Sequence, residues 1–174
     1  MNDSAGPGNR IRLSTRSQAV GLLGWLGVVF IVAAAGALAS VNAASFYSQL
    51  DKPAWAPPGS AFGPVWSFLY TLMGLSAWLV WREKGNKPVI PALSLFIAQL
   101  LANGLWSWLF FAWHLGLASF VDVVVLLILI ALTIAAFVKV SRVAALLMVP
   151  YLLWVCLASA LTWSVWQGNR IFFH

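Results

Sequence analysis

Charge is scarce in this chain. Of its 174 residues, 8% are Asp, Glu, Lys or Arg, against about 25% in a soluble domain. A sequence so poor in charge cannot clothe a water-facing surface, which excludes an ordinary soluble enzyme, a disordered tail and a nucleic-acid binder. Acids are rarer still, four against ten basic residues, for a net charge of +6. Orientation in a membrane accounts for that sign, because cytoplasmic flanks of membrane helices collect Lys and Arg. Cysteine is nearly absent: Cys156 stands alone inside an apolar run and reads as a small hydrophobe, with no intrachain disulfide open to it. His114 and His174 are isolated, and no His, Cys and carboxylate group has metal-ligand spacing, so no metal is expected. Phosphate-binding glycine loops and the G-x-S-x-G nucleophile motif are also missing.

What is abundant is apolar: 62% of residues are hydrophobic, eleven are tryptophan, and the mean hydropathy is +0.90. One bilayer crossing takes about 20 apolar residues in a helix. The uncharged runs supply five, so the expected fold is all-α, an integral membrane five-helix transmembrane bundle. Residues 1–18 read as a basic flexible N-terminal tail, 19–166 as the membrane domain and 167–174 as a C-terminal tail. The helices are expected at about 19–46, 64–81, 91–113, 116–138 and 143–166. The first run holds Ala37-Leu38-Ala39, which resembles a signal-peptidase site. Its apolar region exceeds the 7–15 residues of a signal peptide and is kept as a crossing. Between Tyr47 and Pro64 lie four of the eight prolines, Pro53, Pro57, Pro58 and Pro64. They remove donors and restrict φ, predicting a stiff non-helical connector shaped like a lid.

Five crossings place the termini on opposite sides. Arg10, Arg12, Arg16, Arg82, Lys84, Lys87, Lys139 and Arg142 then share one side, and only Lys52 and Arg170 lie on the other. That asymmetry predicts a cytoplasmic N-terminus and an external first loop, with the plasma membrane as the expected location.

Polar residues inside the crossings are few and worth following. Gln99, Asn103 and Ser107 recur every four residues and share one helical face. Such side chains are costly in hydrocarbon without partners, so the face points inward, either to bond another helix or to line a cavity. Asp122 lies about two turns into the fourth crossing. It is either a functional acid or an interfacial carboxylate bonded to a neighbour. Trp66, Tyr70 and Met73 share a face of the second crossing, and Trp154, Ala158 and Thr162 share one of the fifth. Each is packing by itself; together with the amide face they would enclose a flat apolar ligand.

The order of these residues is familiar. The segment Tyr47-Ser-Gln-Leu-Asp-Lys52-Pro-Ala-Trp55-Ala-Pro57-Pro58, followed by Phe62-Gly-Pro64-Val-Trp66-Ser-Phe-Leu-Tyr70, is the first block. Ala98-Gln99-Leu-Leu-Ala-Asn103-Gly-Leu-Trp106-Ser-Trp-Leu-Phe-Phe111 is the second. Pro150-Tyr151-Leu-Leu-Trp154-Val-Cys-Leu-Ala158 is the third. Across about residues 20–166 the sequence resembles the TspO/translocator family, the tryptophan-rich sensory proteins also called peripheral benzodiazepine receptors. That resemblance implies a five-helix bundle, often a homodimer, with a cavity toward the first loop that binds porphyrins. It implies ligand-binding roles for Tyr47, Trp66, Tyr70, Gln99, Asn103, Trp154 and Ala158. Light-dependent porphyrin degradation in some bacterial members makes Trp66 and Trp154 the candidate catalytic residues. The sterol motif of animal members is absent: Leu161–Trp166 has no tyrosine, and no Lys or Arg follows until Arg170. Thr162 replaces the asparagine that many members carry.

The expected function is therefore a receptor or sensor for a porphyrin-type tetrapyrrole, protoporphyrin or haem, held as ligand rather than as an obligatory cofactor. Lys52 at the mouth would attract its carboxylates, and small Ala158 would leave room for the ring. The rival readings are tryptophan-dependent photo-oxidation of porphyrin, transport of amphipathic molecules with Asp122 as a proton relay, and a structural partner dimerising through Ala98-x-x-x-Ala102. Among the tryptophans, Trp25, Trp78, Trp81, Trp113 and Trp166 are expected as surface or interface anchors. Trp55, Trp106, Trp108 and Trp163 are expected as loop or packing residues.

Overall fold

The computed structural model describes residues 14–173. Most of the expected basic tail, including Arg10 and Arg12, lies outside the described residues, as does His174. Seven helices are present among the described residues: α1 (Thr15–Ala39), α2 (Ala43–Gln49), α3 (Gly59–Trp81), α4 (Ile90–Ser107), α5 (Gly116–Val140), α6 (Arg142–Leu147) and α7 (Val149–Gly168). A π-helical turn, Trp108–Ala112, extends α4, and a 3-10 turn, Arg170–Phe172, follows α7. Five segments of 23–27 residues are long and apolar enough to cross a membrane: α1, α3, α4 with its π turn, α5, and α6 with α7. At 1.5 Å per residue each exceeds the roughly 30 Å hydrocarbon thickness.

Helix boundaries depart from expectation at four places. The first apolar run is two helices, not one spanning 19–46. Ser40 turns its hydroxyl back onto the Gly36 carbonyl at 2.8 Å, and its N–H bonds Ala37 O at 3.0 Å. That closing turn, followed by Asn42, ends α1 and lets α2 leave in a new direction. The proline-rich connector is shorter than expected, because α3 starts at Gly59 and takes Pro64 inside its second turn. The missing Pro64 donor leaves only the carbonyl of exposed Ser60 unserved, a small cost near the membrane surface. Arg16, expected in the tail, sits in the first turn of α1, whose cap is the Ser14 hydroxyl accepting from Ser17 N. The fifth crossing is interrupted at Met148, where Pro150 stands at the start of α7.

The crossings close into a ring. α1 packs on α3 and α4, α4 on α5, α5 on α6 and α7, and α6 with α7 returns to α3. Small residues set the close approaches. A Cβ on Gly74 would lie 2.7 Å from Leu26 Cδ2 and 3.3 Å from its Cα, and one on Gly104 2.9 Å from Val32 Cγ1. The core runs through Met73, Phe96, Leu100, Ile130, Phe137 and Tyr151, all fully buried. Outward-facing Leu23, Ile31, Leu101, Ile128 and Leu153 are exposed, as a lipid-facing surface requires. His114 lies in the tight turn between the third and fourth crossings. It adopts φ 50°, and its ring lies 4.3 Å from that of Phe46.

Candidate ligand cavity

Where α1 ends and α2 turns away, the bundle leaves a cavity of about 580 Å³ among α1, α2, α3 and the end of α4. Small residues on α1 (Ala33, Ala34, Gly36, Ala37) and Gly63 on α3 make the room. Below them Gly74 holds α1 tight against α3, so the space exists only at the α2 end. Phe30, Tyr47, Phe62, Trp66, Tyr70, Trp106 and Phe111 supply aromatic walls. The volume lies within the range of small-molecule sites, about 300–1,000 Å³.

The polar groups of the wall are held, not loose. The Tyr70 hydroxyl donates to Asn103 Oδ1. One turn earlier on α4, Gln99 Oε1 accepts from the Tyr151 hydroxyl at 2.9 Å. The four-residue spacing of the amides thus meets two tyrosines from two other helices. Gln99 Nε2 and the indole nitrogens of Trp106 and Trp154 are buried without a hydrogen-bond partner. The ring of Trp66 lies 5.6 Å from Tyr70 and 6.3 Å from Tyr151, which fixes its plane in the wall.

A lid closes the α2 end. The Tyr47 hydroxyl donates to Pro57 O at 3.0 Å, and burial pushes that hydroxyl above its ordinary pKa, so it stays a donor. The Asn169 carboxamide takes Asp51 N–H at 2.8 Å and gives Nδ2 to Asp51 O at 2.9 Å and to Val165 O at 2.8 Å. The lid is thereby tied to the far end of α7, 118 residues away.

The model of the TspO/MBR family matches residues 25–167. The chain belongs to the TspO/MBR family. Among its relatives, the tryptophan-rich protein TspO of Chlorobaculum tepidum is 40% identical over 149 residues, covering 83% of this chain and 92% of that protein. The translocator protein of Homo sapiens is 41% identical over 129 residues, 72% of this chain and 75% of its own. Protein CrtK of Rhodobacter capsulatus is 34% identical over 145 residues, 82% and 91% of the two chains. Family membership and five apolar helices make this an integral membrane protein.

Of the seven residues that the TspO/MBR resemblance pointed to, Tyr47, Trp66, Tyr70 and Asn103 line the cavity. Gln99, Trp154 and Ala158 do not. Gln99 is fully buried on Tyr151. Trp154 stands behind Phe62, ring centroids 5.8 Å apart, and Ala158 is one turn further along α7. Lys52 does not project freely at the mouth. Its ammonium donates to Tyr47 O and Leu50 O, both at 2.7 Å, and lies 5.0 Å from the Tyr47 ring centroid. Carbonyls at the end of α2 draw the cation in, as helix C-termini do. Thr162 is buried, and Asp122 is half-buried with Oδ2 enclosed and unpartnered.

Four aromatic residues of the cavity were missed as site candidates: Phe30, Phe62, Trp106 and Phe111. Trp106 had been expected as packing, yet it lies three residues beyond Asn103 on the same face. Phe62 precedes Trp66 by one turn. That spacing was the available signal for both.

Proposed function

We propose that this chain is a membrane receptor or sensor that holds a porphyrin-type tetrapyrrole, protoporphyrin or haem, in the cavity between α1 and α3. The observation that carries the reading is the wall itself: seven aromatic rings and one bonded amide around about 580 Å³. A porphyrin is a flat, π-rich, largely apolar disc, and each ring pair adds about 0.5–1.5 kcal/mol beyond burial. Trp66 and Tyr70 serve as the stacking wall, with Tyr47 closing over the disc. Asn103 keeps its side-chain amide N–H groups for polar ligand atoms, since Tyr70 occupies only Oδ1. Two of the three donors of Lys52 are taken, which leaves one for a propionate at the mouth. Gln99, Trp154 and Ala158 form the layer behind, against which a deeper ligand seats. The names of relatives, tryptophan-rich sensory protein and translocator protein, fit a regulatory or carrier role.

The test is titration with protoporphyrin, read by tryptophan quenching and by the porphyrin absorption band. Replacing Trp66, which lines the cavity, by Ala is expected to lower affinity about tenfold, the loss of one to two ring contacts. Unchanged affinity and quenching would remove the assignment. We place the N-terminus in the cytoplasm and the chain in the plasma membrane, on the eight-to-two distribution of basic residues. Accessibility labelling of a cysteine at Ser4 and at Trp55 checks the sidedness.

A second reading, light-dependent oxidation of the bound porphyrin, is favoured by one feature. Trp66 sits within ring contact of both Tyr70 and Tyr151, a chain able to pass an oxidising equivalent away from an excited ligand. Illumination in air should then produce bilin-like absorption that Trp66→Phe loses. No new product means binding alone. A homodimer is part of the proposal and is read by the mass of the protein in nanodiscs.

A further inference from the structure

At the end of the bundle opposite the cavity, five separate segments converge. Trp78 Nε1 donates to Gln18 O at 2.9 Å, and a Cβ on Gly21 would run into the Trp81 ring, so the start of α1 lies against the end of α3. Lys87 Nζ reaches Val140 O, and Ser76 Oγ donates to Ala144 O at 2.7 Å. The turn 82–89 is therefore stitched to the α5–α6 junction. This convergence gathers Arg16, Arg82, Lys84, Lys87, Lys139 and Arg142, all exposed. The one acid of that end among the described residues is Glu83, and among those residues none of the six cations forms an ion pair.

Their depth is fixed by aromatic rings. The Arg82 guanidinium lies 5.3 Å from the Trp78 ring centroid and the Lys84 ammonium 4.0 Å from that of Trp81. Each cation stands within about a turn of the end of a crossing, at the level where tryptophan marks the membrane interface. At that level the neighbouring anions are lipid phosphates; an acidic protein would have to displace them to reach these groups. The opposite end differs: Lys52 is folded onto carbonyls, and Arg170 bonds the Gln167 side chain and lies 5.7 Å from the Trp166 ring centroid.

The structure assigns to this end a collar that recruits acidic phospholipid headgroups from the adjoining leaflet. Phosphate oxygens are held by Arg82, Lys84 and Arg142, while Trp78 and Trp81 lie along the glycerol region. Lys87 contributes charge while bonding Val140 O. The reading is independent of what occupies the cavity.

Spin-labelled phosphatidylglycerol and spin-labelled phosphatidylcholine, each introduced into nanodiscs holding the full chain, give the test. The immobilised fraction reports lipids in contact with protein. The wild type is expected to prefer phosphatidylglycerol by about fivefold or more, the effect of roughly one near-surface cation, and the preference falls as salt rises. Arg82→Gln, Lys84→Gln and Arg142→Gln together should bring the ratio close to one. Lys52→Gln with Arg170→Gln should leave it intact, and unchanged helical circular dichroism separates loss of lipid from loss of fold. Equal immobilisation of both lipids by the wild type overturns the proposal. So does a preference that survives in the triple variant, or poly-glutamate binding to the collar in the absence of any lipid preference.

Discussion

Replacing Asn169 by alanine should open the lid without melting the bundle. The Asn169 side chain is buried and makes three hydrogen bonds, two of them to the backbone of Asp51 at 2.8 and 2.9 Å. A net contribution of about 1 kcal/mol for each gives about 2 kcal/mol holding the lid to α7. At 1.4 kcal/mol per decade, the open population should rise about thirtyfold. The lid keeps its other ties, Tyr47 to Pro57 and Lys52 to the end of α2, so the segment loosens rather than unfolds. Hydrogen exchange in nanodiscs reads this at two amides: Asp51, which loses its acceptor, and Ala56, bonded to Pro53 O at 2.9 Å. Both should lose about thirtyfold in protection, while amides of the buried α4 segment around Phe96–Leu100 stay unchanged. Release of bound protoporphyrin should quicken by the same order. Unaltered exchange at Asp51 and Ala56 in a folded Asn169→Ala protein would refute the latch. Fraying confined to the last turn of α7 would do the same, because it would show that the bond to Val165 O is what matters.

Other consequences are simpler to state. Gly74→Val forces a side chain against Leu26, including its backbone, and should cost about 1–3 kcal/mol in detergent-denaturation experiments. Gly24→Ala, where nothing lies within 4 Å, should be neutral or slightly stabilising. Tyr70→Phe strips Asn103 Oδ1 of its donor and should destabilise by about 1 kcal/mol, in line with interhelical hydrogen bonds in membranes; adding Asn103→Leu should recover part of that loss. Ala37→Phe fills the α1 wall and should weaken protoporphyrin binding at least tenfold with unchanged helical content, measured by titration and circular dichroism.

Much of the architecture is legible along the chain, and the site is legible unevenly. Trp66, Tyr70 and Asn103 reach the cavity as their spacing suggested, and Tyr47 lines it as the resemblance implied. Trp154 does not, because Phe62 comes between, and nothing in the spacing along α7 announces a ring contributed by α3. Gln99 and Asn103 share a face, yet only Asn103 lines the cavity; α4 runs past the cavity floor between them, and Tyr151 claims Gln99. Lys52 looked free and is committed to carbonyls, since a lysine three residues beyond the last turn of α2 is near enough to fold back. Trp106 passed for packing although it lies three residues beyond Asn103, on the face that lines the cavity.

Five crossings, the scarcity of charge and its concentration at one set of loops follow from the order of residues along the chain, because entry into a bilayer is a sum over the residues of one run and needs no knowledge of tertiary neighbours. Which face of each helix turns inward cannot follow that way. Lipid and bundle core are equally apolar, so no polar face marks the exterior as it does in a soluble protein. The pairing of Tyr70 with Asn103 and the space left above Gly74 depend on how helices meet, and only their packing together decided them.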